Sequence, residues 1–395
     1  MTHEVTQAEA RQQLEEILLD MKIPSTRGTI NSVPNITSAH TTGKFTRVTR
    51  STQEVEPYFH IFNFGDNEGF AIMSGDDRVE SLLALTYKGE LTPDKEIESP
   101  AFKIAYAKME EYYAEQVMRG GGAPNTGPIL PIDSIADMPV DTIYFEGKPY
   151  NQYYDMPIYG HCTVTWGQGV PYNEYCYTVE GERAVVGCVA TAVAQLMAIY
   201  KYPSSYNGHS FNWTAMIAAN PMTYIDTDPA VEMISQLMFQ LGRPQNLDMN
   251  YGVNASGAPA NNVPRTLENF GYRVGGSHVD YNTTQVANEL KLGRALLICG
   301  YDDDAGHMWL GHGLMERKVH VTAYLENSLT PVRSFERVEA TYILCNMGWN
   351  GYCDGYYLSA SFDTNGGPDY QYNPTRSAVS GRYNNNLSVV KGIRR

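Results

Sequence analysis

One cysteine of this sequence stands at the start of a long apolar segment, where a thiol can become a nucleophile. Cys188 follows Gly187 and opens a run of small and apolar residues that reaches Tyr200 without a charged side chain. Such a run predicts a buried helix with Cys188 in its first turn, where free backbone N–H groups and the helix dipole lower the pKa of a thiol. Gly187 has no side chain to keep a substrate backbone away. The alternative is that Cys188 only packs the interior, so its role depends on partners elsewhere in the chain.

A cysteine nucleophile needs a general base, usually a histidine that the fold brings close. Of the nine histidines, His307 follows an acidic turn at 302–306 and opens the apolar segment 307–314, which predicts a position at the start of a strand. His312 is the competing candidate in the same segment. The two are an odd number of positions apart, so in a regular strand they face opposite sides and do not share a metal ion. We therefore expect His307 to be the base.

Two further segments supply groups that a thiol–imidazole pair uses. Asn346 ends a predicted strand, and an amide beside the imidazole would fix its tautomer and orientation. Trp349 would shield that hydrogen bond from water, although it also fits a core tryptophan in a turn. Gln168 precedes Cys188, and its side-chain amide and the backbone N–H of Cys188 are a suitable donor pair for the oxyanion of acyl transfer.

Composition argues against several other classes of function. The formal net charge is −15 at pH 7, and no basic run is longer than Arg394-Arg395, which argues against nucleic acid as a partner. No apolar segment approaches the roughly 18 residues that a membrane span requires. The six cysteines form no Cys-x-x-Cys pair, and no cysteine–histidine cluster has zinc spacing, which argues against a zinc site.

The first part of the chain predicts a small α+β unit. Thr6 and Glu9 form a capping box before an apolar helical stripe that ends at Pro24. Residues 25–45 are rich in Thr, Ser, Gly and Asn and are predicted to be loop. Strands are then predicted over 58–64, 70–73 and 81–87, followed by a helix with Ser99 as N-cap that runs to about Met118.

A glycine- and proline-rich segment at 119–128 divides the chain. Three consecutive glycines and two prolines do not hold regular structure cheaply, so we place a domain boundary here and not merely a loop. The expected domains are residues 1–130 and residues 131–395. The second domain is predicted to contain helices at 188–201, 229–242 and 284–292, and strands at 295–300, 307–314, 319–324, 340–346 and 355–358.

Taken in order, these motifs resemble those of the streptopain family of bacterial cysteine peptidases, a papain-like group. The likeness is carried by Trp166-Gly167-Gln168 with Pro171-Tyr172-Asn173, by Gly187 to Ala192, by Gly306-His307, by Asn346 to Trp349, and in the first domain by Gly69 to Asp77. The chain departs from the family pattern in three places. Met347 stands where the family commonly has Trp, His312 where it usually has Asp, and Tyr177 where Pro is common.

The resemblance implies an α+β fold in which a helical part bearing Cys188 packs on an antiparallel sheet part bearing His307, after a small α+β propeptide domain. It implies a zymogen whose residues 1–130 inhibit the peptidase until they are removed by cleavage within 119–133. Cys188 would attack a peptide carbonyl, His307 would move the proton, and Gln168 with the Cys188 N–H would hold the oxyanion. The implied mechanism needs no metal and no organic cofactor. The implied partners are protein or peptide substrates and the chain's own propeptide.

Some alternatives stay open at this point. A degenerate homologue would keep the fold as a surface binding protein, which Met347 would suit, and the same pair would also permit acyl transfer to an amine. With Cys188 free, the other five cysteines cannot all be paired, and the simplest expectation is that all six are reduced. The N-terminus shows no signal-peptide pattern, which leaves a cytoplasmic location or a removed signal peptide. The resemblance implies a secreted or cell-envelope location.

Overall fold

The structure, a computed structural model, describes most of the chain. The described residues are 3–20, 23–25, 28–30, 34–46, 55–65, 67–120, 142–154, 162–219, 228–301, 306–325, 330–363 and 387–395. Its helices are α1 (Gln7–Asp20), α2 (Pro100–Arg119), α3 (Cys188–Tyr200), α4 (Trp213–Ala218), α5 (Pro229–Gly242), α6 (Asn262–Asn269), α7 (Thr283–Lys291) and α8 (Ser359–Phe362).

Eighteen strands accompany these helices in the described residues. They are β1 (Ile23–Ser25), β2 (Gly28–Ile30), β3 (Ile36–Thr42), β4 (Phe59–Phe64), β5 (Phe70–Ser74), β6 (Leu82–Thr86), β7 (Thr142–Glu146), β8 (Tyr150–Tyr154), β9 (Thr178–Val179), β10 (Glu182–Arg183), β11 (Ser205–Tyr206), β12 (His209–Ser210), β13 (Ser277–Asp280), β14 (Leu296–Tyr301), β15 (Gly306–Leu325), β16 (Pro331–Asn346), β17 (Gly355–Leu358) and β18 (Ser388–Lys391).

The two long helices of the N-terminal unit, α1 and α2, begin where their capping residues predict. The Thr6 backbone N–H donates to Glu9 Oε2 over 2.8 Å, and the Glu9 N–H donates to Thr6 Oγ1 over 3.3 Å, which is the predicted capping box. Ser99 Oγ accepts the Phe102 N–H at 3.3 Å, and Pro100 occupies the first turn of α2. Both predicted helix starts are therefore confirmed.

The loop predicted at 25–45 is wrong in part, because β2 and β3 fall within it. Strand β3 pairs antiparallel with β4 and is the last strand at its end of the sheet. Most of its side chains are exposed or half-buried. An edge strand of this kind tolerates the Thr- and Ser-rich composition that reads as loop in a sequence.

The strands predicted separately at 307–314 and 319–324 form one long strand, β15, and the strand predicted at 340–346 begins earlier, at Pro331. Strands β15 and β16 pair along nearly their whole length, with three register shifts, and such shifts increase the local twist of a hairpin. The other side of β15 pairs first with β14, then with β8, then with β7.

One antiparallel sheet runs through both parts of the chain, in the order β13-β18-β14-β15-β16-β17-β6-β5-β4-β3. Its two faces pack in separate cores. Met308 and Leu310 belong to the core built around α3, whereas Trp309 belongs to the core that contains α2 and the N-terminal strands. The alternation along β15 thus places α3 on one face and the N-terminal unit on the other. This arrangement confirms the predicted α+β class, a helical part packed on an antiparallel sheet.

The proposed domain boundary and the cleavage segment 119–133 lie mostly outside the described residues, which stop at Gly120 and resume at Thr142. The division at residue 130 therefore stays a prediction. The structure does describe contact between the N-terminal unit and the part of the chain that begins at Thr142. Strand β6 of the N-terminal unit pairs with β17, so Thr86 lies opposite Gly355.

Gly355 is required by this pairing. A Cβ atom there would overlap the carbonyl oxygen of Leu85 and would lie 2.6 Å from the Cα of Thr86. Both atoms belong to backbone, which cannot rotate away as a side chain can. The glycine therefore permits β6 to approach β17 closely.

Replacing Gly355 with alanine should push β6 away from β17 and destabilise the full-length chain by about 1–3 kcal/mol, the usual cost of overpacking. Urea denaturation of the two proteins measures the difference. Gly257→Ala is the matched control, because a Cβ at Gly257 would meet nothing within 4 Å. Equal midpoints for Gly355→Ala and Gly257→Ala would show that the sheet adjusts without cost.

Candidate active site

Cys188 is the first residue of α3, as its position after Gly187 predicts. Gly187 has φ 90° and ψ 146°, a backbone conformation that other residues rarely adopt. A Cβ on Gly187 would lie 2.5 Å from the Ser256 carbonyl oxygen and 3.1 Å from Met249 Sδ. The glycine is thus needed both for its dihedral angles and because the 249–256 loop packs directly against it.

The thiol of Cys188 lies against the backbone on both sides of His307. Its Sγ donates to the Gly306 carbonyl oxygen over 3.8 Å and accepts the backbone N–H of Met308. His307 itself is half-buried, is the second residue of β15 and pairs with Gly300 of β14. The fold therefore brings the start of α3 to the start of β15, the two places at which sequence analysis locates the nucleophile and the base.

In the full-length chain, burial raises the pKa of the Cys188 thiol. The N–H groups of Met308, Val189 and Cys188 lower it, but by less. The lowered pKa expected from the helix position is wrong for this form of the protein, because only 8% of Cys188 is exposed and desolvation outweighs the helix start. The thiol is consequently held neutral.

Gln168 is held beside α3 through its main chain. Three hydrogen bonds join the segment 166–168 to the helix and its approach, from Gln195 Nε2 to the Trp166 carbonyl (2.9 Å), from Thr191 Oγ1 to the Gly167 carbonyl (3.4 Å) and from the Val186 N–H to the Gln168 carbonyl (2.9 Å). Gln168 is half-buried at the end of this segment. The Gln168 carbonyl thus binds Val186, which precedes Cys188 by two residues.

Asn346 is buried at the end of β16 and bridges two other segments of the site. Its Nδ2 donates to the Val164 carbonyl at 2.8 Å, and its Oδ1 accepts the Gly348 N–H at 3.0 Å. These hydrogen bonds fix the plane of the amide between segment 162–168 and the turn that follows β16. Its contact with the imidazole of His307 stays a prediction.

Trp349 is half-buried in that turn, which lies on the start of α3. A Cβ on Gly348 would lie 3.5 Å from Thr191 Cγ2, and a Cβ on Gly167 would overlap Asn350 Oδ1. The turn therefore touches both the nucleophile helix and the segment that carries Gln168. All five residues selected from the sequence belong to segments that meet around the N-terminus of α3.

Asp354 is a residue that sequence analysis missed. Its Oδ1 accepts the backbone N–H of Met347 at 2.7 Å and so fixes the turn directly after Asn346. Burial raises the pKa of Asp354 to about 7, although the Met347 N–H and the charge of Lys88 both lower it. Lys88 belongs to the N-terminal unit, and its Nζ donates to the Asn350 carbonyl in the turn after β16 at 3.0 Å. Asp354 belongs to no recognisable motif, so the sequence does not predict its interaction with Lys88.

All six cysteines are free thiols. No group of three or more His, Cys, Asp or Glu side chains suited to a metal ion occurs among the described residues. Within the same residues, no helix combines the length and the apolar character that crossing a membrane requires.

Two family models match separate parts of the chain. Residues 166–357, which include all five candidate residues, match the model of the peptidase C10 family, and residues 3–112 match that of the Spi protease inhibitor family. Streptopain of Streptococcus pyogenes serotype M28 is 24% identical over 367 residues, covering 82% of this chain and 80% of the relative. The thiol protease/hemagglutinin PrtT of Porphyromonas gingivalis is 26% identical over 178 residues, covering 44% of this chain and 19% of the relative.

A solved structure of a prointerpain A fragment from Prevotella intermedia superimposes with a TM-score of 0.54. It is 20% identical in sequence and covers 91% of this chain and 99% of its own. At this level of identity the match shows a shared fold. That fold extends over the N-terminal unit as well as the part that carries Cys188.

The raised pKa of Asp354 predicts a pH-dependent stability. A carboxyl group whose pKa rises on folding stabilises the fold while it is protonated, so its contribution is complete below the ordinary pKa of 3.8 and is lost as the pH rises through about 7. Asp354→Asn keeps an acceptor for Met347 but has no proton to lose. Between pH 4 and pH 7 the free energy of unfolding of the wild type should therefore fall relative to that of Asp354→Asn, measured by urea denaturation.

The control for this measurement is Asp94→Asn, which removes an exposed carboxylate of the N-terminal unit. Its stability should follow that of the wild type across the same pH range. If Asp354→Asn also runs parallel to the wild type, Asp354 does not titrate near pH 7.

Proposed function

Because the chain belongs to the peptidase C10 family, that of streptopain, and is a zymogen form with an N-terminal propeptide, we propose that it is a cysteine endopeptidase with Cys188 as nucleophile and His307 as general base. The observation that carries this proposal is the position of the Cys188 thiol, which contacts Gly306 and Met308, the residues on either side of His307. A nucleophile and its base must lie within hydrogen-bonding reach at some stage of the reaction.

The reaction follows from these roles. The Cys188 thiolate attacks the carbonyl carbon of a peptide, while His307 holds the thiol proton and returns it to the leaving amine. The resulting acyl-enzyme is cleaved by water, which His307 activates. The oxyanion is stabilised by the backbone N–H of Cys188 and by the side-chain amide of Gln168. The bond between the Val186 N–H and the Gln168 carbonyl supports this pairing, since it holds the two donors in adjoining chain segments.

Asn346 is proposed to orient the imidazole of His307, and Trp349 to keep water from that interaction. Strand β16, which ends at Asn346, pairs with β15, and Asn346 lies opposite Leu310 in that register. Only 2% of Asn346 is exposed, and both ends of its amide are held. A fixed, buried amide next to the strand of the base suits an orienting role.

The propeptide is proposed to inhibit by packing on the elements that support the site. Lys88 and β6 contact the turn at 349–354 and strand β17. Ile104 of α2 packs on Gly300, the β14 residue opposite His307. The raised pKa of the Cys188 thiol agrees with a latent form. Cleavage within 119–133, by the enzyme itself, would release both contacts in a secreted or cell-envelope protein.

A catalytically degenerate binding protein is the second candidate. The observation that favours it is Met347, a buried residue at a position where the family commonly has tryptophan. Reactivity of the thiol separates the two candidates.

After incubation that removes the propeptide, an irreversible peptidyl thiol inhibitor should label Cys188 and abolish peptide hydrolysis. His307→Ala should lower kcat/KM by about 10²- to 10⁴-fold, the usual contribution of a general base. Peptide mass spectrometry locates the label. Cys176→Ala, which removes a different buried thiol, should leave both labelling and hydrolysis intact. A folded wild-type protein that takes no label at Cys188 would favour the binding protein.

Self-processing makes a separate prediction. Purified full-length wild type should lose its N-terminal fragment on incubation, whereas Cys188→Ala should remain intact until a trace of processed wild type is added. Gel electrophoresis and N-terminal sequencing follow the fragment. Loss of the same fragment at the same rate from both purified proteins would rule out self-processing.

A further inference from the structure

We propose that His312 is a positioning residue, whose neutral imidazole anchors the segment 162–168 and thereby places Gln168. The inference rests on the proposed function, in which Gln168 holds the oxyanion. It gives a role to the second histidine of β15, which the mechanism above does not use. The role depends on a single protonation state, so it also predicts a pH dependence.

His312 is buried, with 4% of its surface exposed, and its Nδ1 accepts the backbone N–H of Cys162 at 3.1 Å. The register of β15 and β16 shifts at this point, because Gly311 pairs with Cys345 and Gly313 pairs with Leu344. His312 is thus the extra residue of a β-bulge. Bulges of this kind turn a side chain out of the regular alternation and are common beside active sites.

The segment that His312 holds is anchored at both ends. At its start, His312 binds Cys162, and Asn346 Nδ2 binds the Val164 carbonyl. At its end, α3 and its approach bind the carbonyls of residues 166–168. A segment held at both ends has a defined path, and Gln168 is the last residue of that path. Loss of the first anchor leaves the Cys162 N–H without its acceptor, so the start of the segment is held by the weaker contacts of the Cys162 thiol with the Gln195 carbonyl (3.9 Å) and Asn346 Nδ2 (3.8 Å).

The anchor requires an unprotonated Nδ1. A neutral imidazole can accept at one nitrogen and donate at the other, whereas an imidazolium donates at both, so protonated His312 would direct an N–H at the N–H of Cys162. Cys162, whose N–H binds His312, and Cys345, which pairs with Gly311 beside it, both interact electrostatically with Asp354. Burial raises the pKa of both thiols, which keeps them neutral, and it raises the pKa of Asp354 to about 7.

The first test is a double-mutant cycle on the full-length chain after it has processed itself. His312→Leu removes the acceptor at similar volume and should lower kcat by about 10- to 100-fold with little change in KM, the effect of a small misplacement of a catalytic group. In a Gln168→Ala background the same substitution should cost at most about threefold, because the group it positions is already absent. An equal loss in both backgrounds would overturn the proposal and indicate a general structural role.

The second test uses His312→Asn, whose side-chain oxygen can take the place of Nδ1 as acceptor and does not titrate. Its kcat at pH 8 should stay within about threefold of the wild type, by rescue of the hydrogen bond that His312→Leu lacks. As the pH falls from 8 to 5, its kcat should fall less than that of the wild type. Asp354 and His307 are present in both proteins, so the difference between the two acid limbs reports the substitution at His312. Identical acid limbs would contradict the role of neutral His312.

A third measurement is independent of activity and so separates this inference from the proposed function. In full-length Cys188→Ala, the ¹⁵N spectrum of the imidazole at pH 8 should show His312 with Nδ1 unprotonated and Nε2 protonated. Adding His312→Leu should shift the side-chain amide signals of Gln168. A protonated Nδ1, or Gln168 signals that do not move, would overturn the inference even if the peptidase is active. An inactive wild type with both spectral results as expected would count against the proposed function alone.

Discussion

The site depends on how the N-terminus of α3 is held against the start of β15. Every residue of α3 is buried, and the chain enters the helix through Gly187, whose positive φ leaves little freedom in the direction of the first turn. The carbonyl of Ser256 closes the space behind that glycine. The Cys188 thiol is therefore directed to the backbone around His307 by packing and by one dihedral angle, without any charged group on the helix.

The polar side chains of this apolar helix explain how the neighbouring segment is held. Backbone groups that leave regular structure and become buried need hydrogen-bond partners, since an unsatisfied group costs about 1–3 kcal/mol. Thr191 and Gln195 supply those partners to the carbonyls of Gly167 and Trp166. Asn346 does the same for Val164 from the other side. The segment that carries Gln168 thus runs between α3 and the sheet, and its buried carbonyls accept hydrogen bonds from both.

Local signals in the sequence were sufficient for much of the fold. The capping residues Thr6 and Ser99 predict helix starts that the structure confirms, and the aromatic and β-branched runs predict the central strands. Strand β3 escaped prediction because edge strands need little apolar surface. The bulge at His312 escaped it as well, because a register shift depends on the partner strand and not on the local residues.

In the candidate site, too, the sequence predicts the segments involved but not the features that depend on tertiary contacts. The order of Gln168, Cys188, His307 and Asn346 along the chain identified the segments that meet, although their catalytic roles stay predictions. The raised pKa of Cys188 was not foreseeable, because it depends on burial in the folded full-length chain. The approach of Lys88 to Asp354 joins residues that are far apart in sequence, and neither carries a local pattern.

The pairing of β6 with β17 has a consequence for the behaviour of a cleaved chain. While the chain is intact, the covalent link between its two parts sets the effective concentration of the N-terminal unit, however dilute the protein. Once the tether is cut, the same contact becomes an ordinary bimolecular equilibrium, and its occupancy falls on dilution. Departure of β6 also leaves Gly355 to Tyr357 as an open sheet edge, a template that can take back the released strand or accept another. Crowding and dilution would then change how often a released β6 occupies that edge.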